Sequence, residues 1–113
     1  MSTDFYPCPC CGYQQLDAPA YERFVEFPLP SGISPPYKVA LGKPSYDVCD
    51  CCGYEFGNDD DPGTGKPSSF ENYLKEWIDD GAVWFDSSKK PANWILSNQL
   101  KNMNPFSNPR ANQ

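Results

Sequence analysis

The sequence predicts a small α+β protein: a cysteine-rich β module with two C-terminal helices packed on it. Three observations predict it. Six cysteines fall in two near-copies of one motif, Cys8-Pro9-Cys10-Cys11-Gly12-Tyr13 and Cys49-Asp50-Cys51-Cys52-Gly53-Tyr54. The segment between them carries short aromatic and β-branched runs bounded by Pro and Gly, the pattern of short strands. Beyond residue 67 the apolar spacing turns helical.

A chain of 113 residues suits one domain or a domain with an appendage. The expected organisation is a cysteine-rich module over 1–66, a helical segment packed on it over 67–104, and a tail over 105–113. Aromatics make up 15% of the chain while Leu, Ile and Val are few, so the core should be aromatic. With 13 prolines and 8 glycines, turns should be many and elements short.

Within the module, Tyr21–Phe27, Tyr37–Leu41 and Ser45–Cys49 read as strands. Pro28-Leu29-Pro30-Ser31-Gly32-Ile33-Ser34-Pro35-Pro36 reads as a loop that cannot continue a ladder. Residues 57–67 form a polar boundary. Ser68 then reads as an N-cap, with Glu71 as its reciprocal partner. Phe70, Tyr73, Leu74, Trp77 and Ile78 lie on one helical stripe, and Gly81 closes the helix. Ala82–Phe85 reads as a short strand or an extended crossing. A second helix is expected from Pro91 to about Met103, stopped by Asn104-Pro105.

The chemistry lies in the cysteines. In C-x-x-C-G the chain turns tightly enough for two thiolates to reach one ion, and Gly supplies the φ > 0 that the turn needs. Two such turns offer four ligands: Cys8, Cys11, Cys49 and Cys52. The 37-residue spacer over 12–48 is long, but loop closure grows costly only slowly with length. A four-cysteine site of the zinc-ribbon or rubredoxin type follows, with zinc as the expected ion and iron as the alternative. Buried reduced cysteines without a metal would explain neither the duplicated spacing nor the two glycines. Cys10 and Cys51 stay open between small buried side chains, spare or reactive redox thiols, and a disulfide beside the site.

Two resemblances attach to these residues. Tyr6-Pro7-Cys8-Pro9-Cys10-Cys11-Gly12-Tyr13, with a later cysteine turn and the acidic Asn58-Asp59-Asp60-Asp61, resembles the bacterial cysteine-rich family named for its Cys-Pro-Cys-Cys motif. The likeness covers about residues 5–62 and implies a zinc-ribbon-like fold, the family itself being uncharacterised. Tyr46 to Phe56, followed by Pro62-Gly63-Thr64, is similar to the first turn of rubredoxin, which implies an iron electron carrier.

Other chemistry is excluded or weakened. The chain has no His, so no Ser-His-Asp or Cys-His arrangement exists, and no enzyme is expected. Nine Lys and Arg against fifteen Asp and Glu, net −6, leave no basic stripe for nucleic acid. No apolar run approaches a membrane span, and Met1 to Tyr6 lacks the pattern of a secretory leader, so the cytoplasm is expected. Asp59-Asp60-Asp61 lacks the spacing of an EF-hand and reads as a solvated turn. Gly57, Gly63 and Gly65 form no phosphate loop. Trp77, Trp84 and Trp94 read as core, while an exposed Trp84-Phe85 pair would mark a partner surface. The expected function is structural zinc binding in an interaction or adaptor protein whose partner is another protein.

Overall fold

The computed structural model describes residues 5–27, 29–61, 63 and 67–103. The helix stop Asn104-Pro105, the tail, and Pro62 and Thr64 of the rubredoxin-like stretch lie outside them. The described residues contain three short α-helices: α1 (Lys38–Leu41), α2 (Phe70–Asp79) and α3 (Leu96–Leu100). Turns of 3-10 helix follow at Ser87–Lys89 and Lys101–Met103.

The expected β module is not there. Among the described residues there is no β-strand, only isolated bridges: Tyr6–Leu16, Tyr21–Phe24, Tyr21–Pro44 and Val48–Glu55. A zinc-ribbon or rubredoxin-like sheet with two helices packed on it is therefore the wrong description. Each expected strand fails for a local reason. Tyr21–Phe27 folds back on itself, with the Phe24 N–H donating to the Tyr21 carbonyl. Tyr37–Leu41 is the single turn α1, which leaves Val39 77% exposed. Ser45–Cys49 is broken at Tyr46, whose φ of 64° lies in the left-handed region.

What replaces the sheet is an aromatic cluster organised by one carboxylate. Asp60 is 1% exposed, so the solvated turn read from the sequence is also corrected. Its Oδ2 accepts from the Tyr21 hydroxyl and the Tyr37 N–H, both at 2.9 Å, and its Oδ1 accepts from the Gly57 N–H at 2.8 Å. A buried carboxylate is tolerable only with such partners. Around it, Tyr37 stacks on Phe70 at 3.8 Å, while Tyr21 meets Phe56 and Phe70 edge-on. Aromatic pairs of this kind contribute about 0.5–1.5 kcal/mol beyond their buried area.

The same cluster starts α2. The Phe70 N–H donates to the Tyr37 hydroxyl at 2.9 Å, satisfying one orphan donor of the first turn. The cap is Ser69, one residue later than expected, and its hydroxyl accepts from the Asn72 N–H. The far end is a Schellman closure: Gly81 at φ 109° donates to the Ile78 carbonyl, and Ala82 donates to the Trp77 carbonyl. Phe70 and Trp77 are buried, and Tyr73, Leu74 and Ile78 pack against the core.

The second expected helix is much shorter. Ile95 is extended (φ −130°, ψ 122°) and its side chain is 55% exposed, so helix begins only at Leu96. Trp94 governs this: its ring meets Trp84 at 5.5 Å and Trp77 at 6.3 Å edge-on, and holding it there breaks the helical path from Pro91. Trp84 is buried, but its neighbour Phe85 is 65% exposed. Among the described residues no helix is long and apolar enough to cross a membrane.

Asp60→Ala should strip three donors of their acceptor at once and destabilise the fold by about 3 kcal/mol or more. Asp79→Ala, which removes an exposed ion pair with Lys75, should cost less than about 1 kcal/mol. Urea unfolding midpoints measure both, and equal midpoints would contradict the organising role of Asp60.

Candidate metal centre

Each cysteine motif forms the same tight turn. In the first, the Cys8 N–H donates to the Tyr13 carbonyl and the Gly12 N–H to the Cys8 carbonyl. In the second, Cys49 pairs with Tyr54 and Gly53 with Cys49 in the same way. Gly12 at φ 84° and Gly53 at φ 82° supply the left-handed residue that lets each turn close. Flanking pairs lengthen the turns slightly: Tyr6 with Leu16, and Asp47 with Phe56.

The two turns face each other. Cys8 Sγ lies 3.9 Å from Cys52 Sγ, and Cys11 Sγ lies 3.7 Å from Cys49 Sγ. The first sulfur of each turn thus meets the last of the other. All four sulfurs lie within 4.8 Å of one another and are buried. Four thiolates on a tetrahedral ion at a metal–sulfur distance of ~2.3 Å would sit about 3.8 Å apart. The donor set and its spacing therefore fit one soft metal ion.

The backbone is arranged for negative sulfur. The Cys10 N–H points at Cys8 Sγ and the Cys51 N–H at Cys49 Sγ, each at 3.4 Å. Burial pushes the Cys8, Cys11 and Cys52 thiols well above the ordinary cysteine value. Cys49 moves the other way. Burial raises it too, but hydrogen bonds from Cys11, Cys52 and Cys8 and from the Cys52 backbone outweigh burial and hold it well below the ordinary value.

Cys10 and Cys51 lie outside this foursome, each with a different partner. The Cys10 thiol donates to the Phe70 carbonyl at 3.5 Å, tying the first turn to the start of α2. Burial pushes Cys10 up to about 11, against a lowering contact with Cys52, the opposite of what a reactive thiol needs. Cys51 Sγ instead accepts from the Gln99 Nε2 at 3.3 Å. All six cysteines are free thiols, with no bridge between Cys10 and Cys51.

Gln99 is the residue that sequence reading misses. It is 9% exposed, and its amide is shared three ways. Nε2 donates to the Cys11 carbonyl at 3.2 Å as well as to Cys51 Sγ, and Oε1 accepts from the Trp94 indole at 2.9 Å. Asn102 Nδ2 adds a bond to the Gly12 carbonyl at 3.2 Å. The C-terminal helix is thereby seated on the first cysteine turn. On the other side, the Phe85 and Asp86 N–H groups donate to the Cys51 and Asp50 carbonyls. An isolated Gln in an apolar pattern gives no signal of this in one dimension.

The acidic run that suggested a cation loop is used locally. Asp59 accepts from the Glu55 N–H, Asp60 serves the aromatic cluster, and Asp61 accepts from the Gly63 N–H.

Gly12→Ala and Gly53→Ala should each cost about 1–2 kcal/mol from backbone strain. Gly12→Ala should cost more, because its Cβ would stand 2.9 Å from the Gln99 carbonyl oxygen and 2.7 Å from Met103 Cγ. At Gly53 the nearest atom, Phe85 Cδ1, is 3.3 Å away on a movable ring. Thermal unfolding should rank Gly12→Ala as the less stable; the reverse order would argue against the C-terminal helix lying on the first turn.

No family model matches this chain, and no solved structure matches it. The likeness to the Cys-Pro-Cys-Cys family therefore rests on the motif residues alone. The chain is similar to the uncharacterised protein YoaQ of Bacillus subtilis (strain 168), 31% identical over 88 residues. The match covers 69% of this chain and 61% of YoaQ, so the chain spans less than two thirds of that relative's length.

Proposed function

We propose that this is a zinc-binding protein in which Cys8, Cys11, Cys49 and Cys52 hold one structural ion, and that it acts in the cytoplasm as an interaction or adaptor protein rather than an enzyme. The observation that carries the reading is the convergence of these four buried sulfurs at near-tetrahedral spacing. Four thiolates close the shell of the ion and leave no position for water or substrate, which favours a staple over a catalyst. An apparent binding free energy of about 10–16 kcal/mol would make metal loading part of folding itself.

The ion would do little chemistry. It would neutralise part of the charge of four clustered thiolates, while the Cys10 and Cys51 N–H groups stabilise the sulfur charge that remains. Reduced thiols suit a reducing compartment, which supports the cytoplasmic assignment.

Elemental analysis of protein purified without added metal tests the reading. One zinc per chain and a colourless solution are expected. Red protein with one iron would overturn zinc, and folded protein with neither metal would overturn the site. Cys49→Ser should lose most of the bound metal.

Loading should also be proton-linked. Burial raises the Cys8, Cys11 and Cys52 thiols, so zinc must displace protons as it binds. Net proton release is expected, with apparent affinity rising with pH and falling on acidification. Calorimetry in buffers of different ionisation enthalpy measures it; release near zero would refute the linkage.

A further inference from the structure

Over the second cysteine turn lies a groove that the metal reading does not use. It holds about 330 Å³ and is lined by Tyr73, Glu76, Trp77, Asp80 and Val83. Its floor is aromatic, since Trp77 is buried beneath it, with the indole N–H donating to the Val83 carbonyl at 2.7 Å. Its wall is apolar and open, for Val83 is 71% exposed. The apolar surface continues to Phe85, 65% exposed, whose ring and the Tyr73 hydroxyl both reach the space above Gly53. Trp84 between them is buried, so Val83 and Phe85 are left exposed on either side of it in the chain.

The charge of this groove has one sign. Glu76, on the last turn of α2, and Asp80, its C-cap, are exposed and four residues apart, a spacing at which like charges repel. They also stand at the carbonyl end of the helix, where the backbone favours cations. That turn holds no basic residue, and among the described residues no Lys or Arg lines the groove. The nearby Lys75 is engaged by Asp79 at 3.1 Å. A cation with an apolar stem would satisfy each of these features together: the methylenes on Trp77 and Val83, the charge between the two carboxylates.

We propose that this groove docks a segment of a partner protein through an Arg or Lys side chain, with a neighbouring apolar residue against Val83 and Phe85. The inference rests on the reading of the chain as an interaction protein and names the chemistry of its partner. A second copy of the chain is the poorer occupant, because both copies carry a net charge of −6 and would bring the same carboxylates face to face.

The probe is a capped Phe-Arg-Leu tripeptide against its citrulline counterpart, which keeps the shape and removes the charge. Both are titrated into isotope-labelled, metal-loaded protein and followed by amide and indole NMR shifts. Shifts should map to Tyr73, Trp77, Val83 and Phe85, and the arginine peptide should bind roughly fivefold tighter than citrulline. The Glu76→Gln/Asp80→Asn double variant, whose changes lie on exposed positions, should erase that difference, as should high salt. Equal binding of the two peptides, shifts elsewhere, or no binding in the millimolar range would overturn the proposal. So would dimerisation through this face in sedimentation. Metal content measured on the same samples separates the two readings. Metal-loaded protein that ignores the peptide defeats the groove alone, and metal-free protein that folds and binds it defeats the metal centre alone.

Discussion

The architecture depends on a convergence of sulfur. Two turns that start 41 residues apart in the sequence place Cys8 against Cys52 and Cys11 against Cys49, and nearly everything else is fastened to those turns. α2 begins at the carbonyl that receives the Cys10 thiol. The Val83–Phe85 segment hangs from the Cys51 carbonyl. The C-terminal helix reaches the Cys11 carbonyl through Gln99. Among the described residues there are few ladder hydrogen bonds to fix the tertiary arrangement, so these bonds from the two turns to the segments around them take that part.

The second organiser is Asp60. A single buried carboxylate gathers the hydroxyl of Tyr21, the N–H of Tyr37 and the N–H of Gly57, which come from three separate stretches of chain. Tyr37 then passes the constraint on, stacking on Phe70 and capping its N–H. The sulfur centre and the carboxylate therefore meet at Phe70, which receives Cys10 at its carbonyl and Tyr37 at its amide. Polar groups with few possible geometries specify the position of aromatic rings that would otherwise pack in several ways.

Motifs with a fixed local geometry are legible in the sequence. The turn glycines and the apolar stripe of α2 follow from spacing within a few residues, and the approach of the four sulfurs from the repetition of one such turn. The cap of α2 falls one residue from its expected place because Ser68 and Ser69 offer the same hydroxyl. The strands are misleading because Tyr21, Phe24 and Tyr37 look β-forming, whereas Asp60 takes the Tyr21 hydroxyl and the Tyr37 N–H, the Tyr21 and Tyr37 rings meet each other, and the Phe24 ring meets Phe27. Asp60 itself sits in a run of three acids, and no pattern marks which of them turns inward. Gln99 is invisible for the same reason: its partners lie 48 and 88 positions away.

The absence of a ladder around Tyr21 has a consequence for how this chain could change. In a sheet, adding one residue to a strand turns every following side chain to the opposite face. Here the stretch between Phe27 and Tyr37 leads back to a point attachment at Asp60 instead. A change in its length therefore flips no side-chain register, although Leu29 and Ile33 within it still have to reach the core.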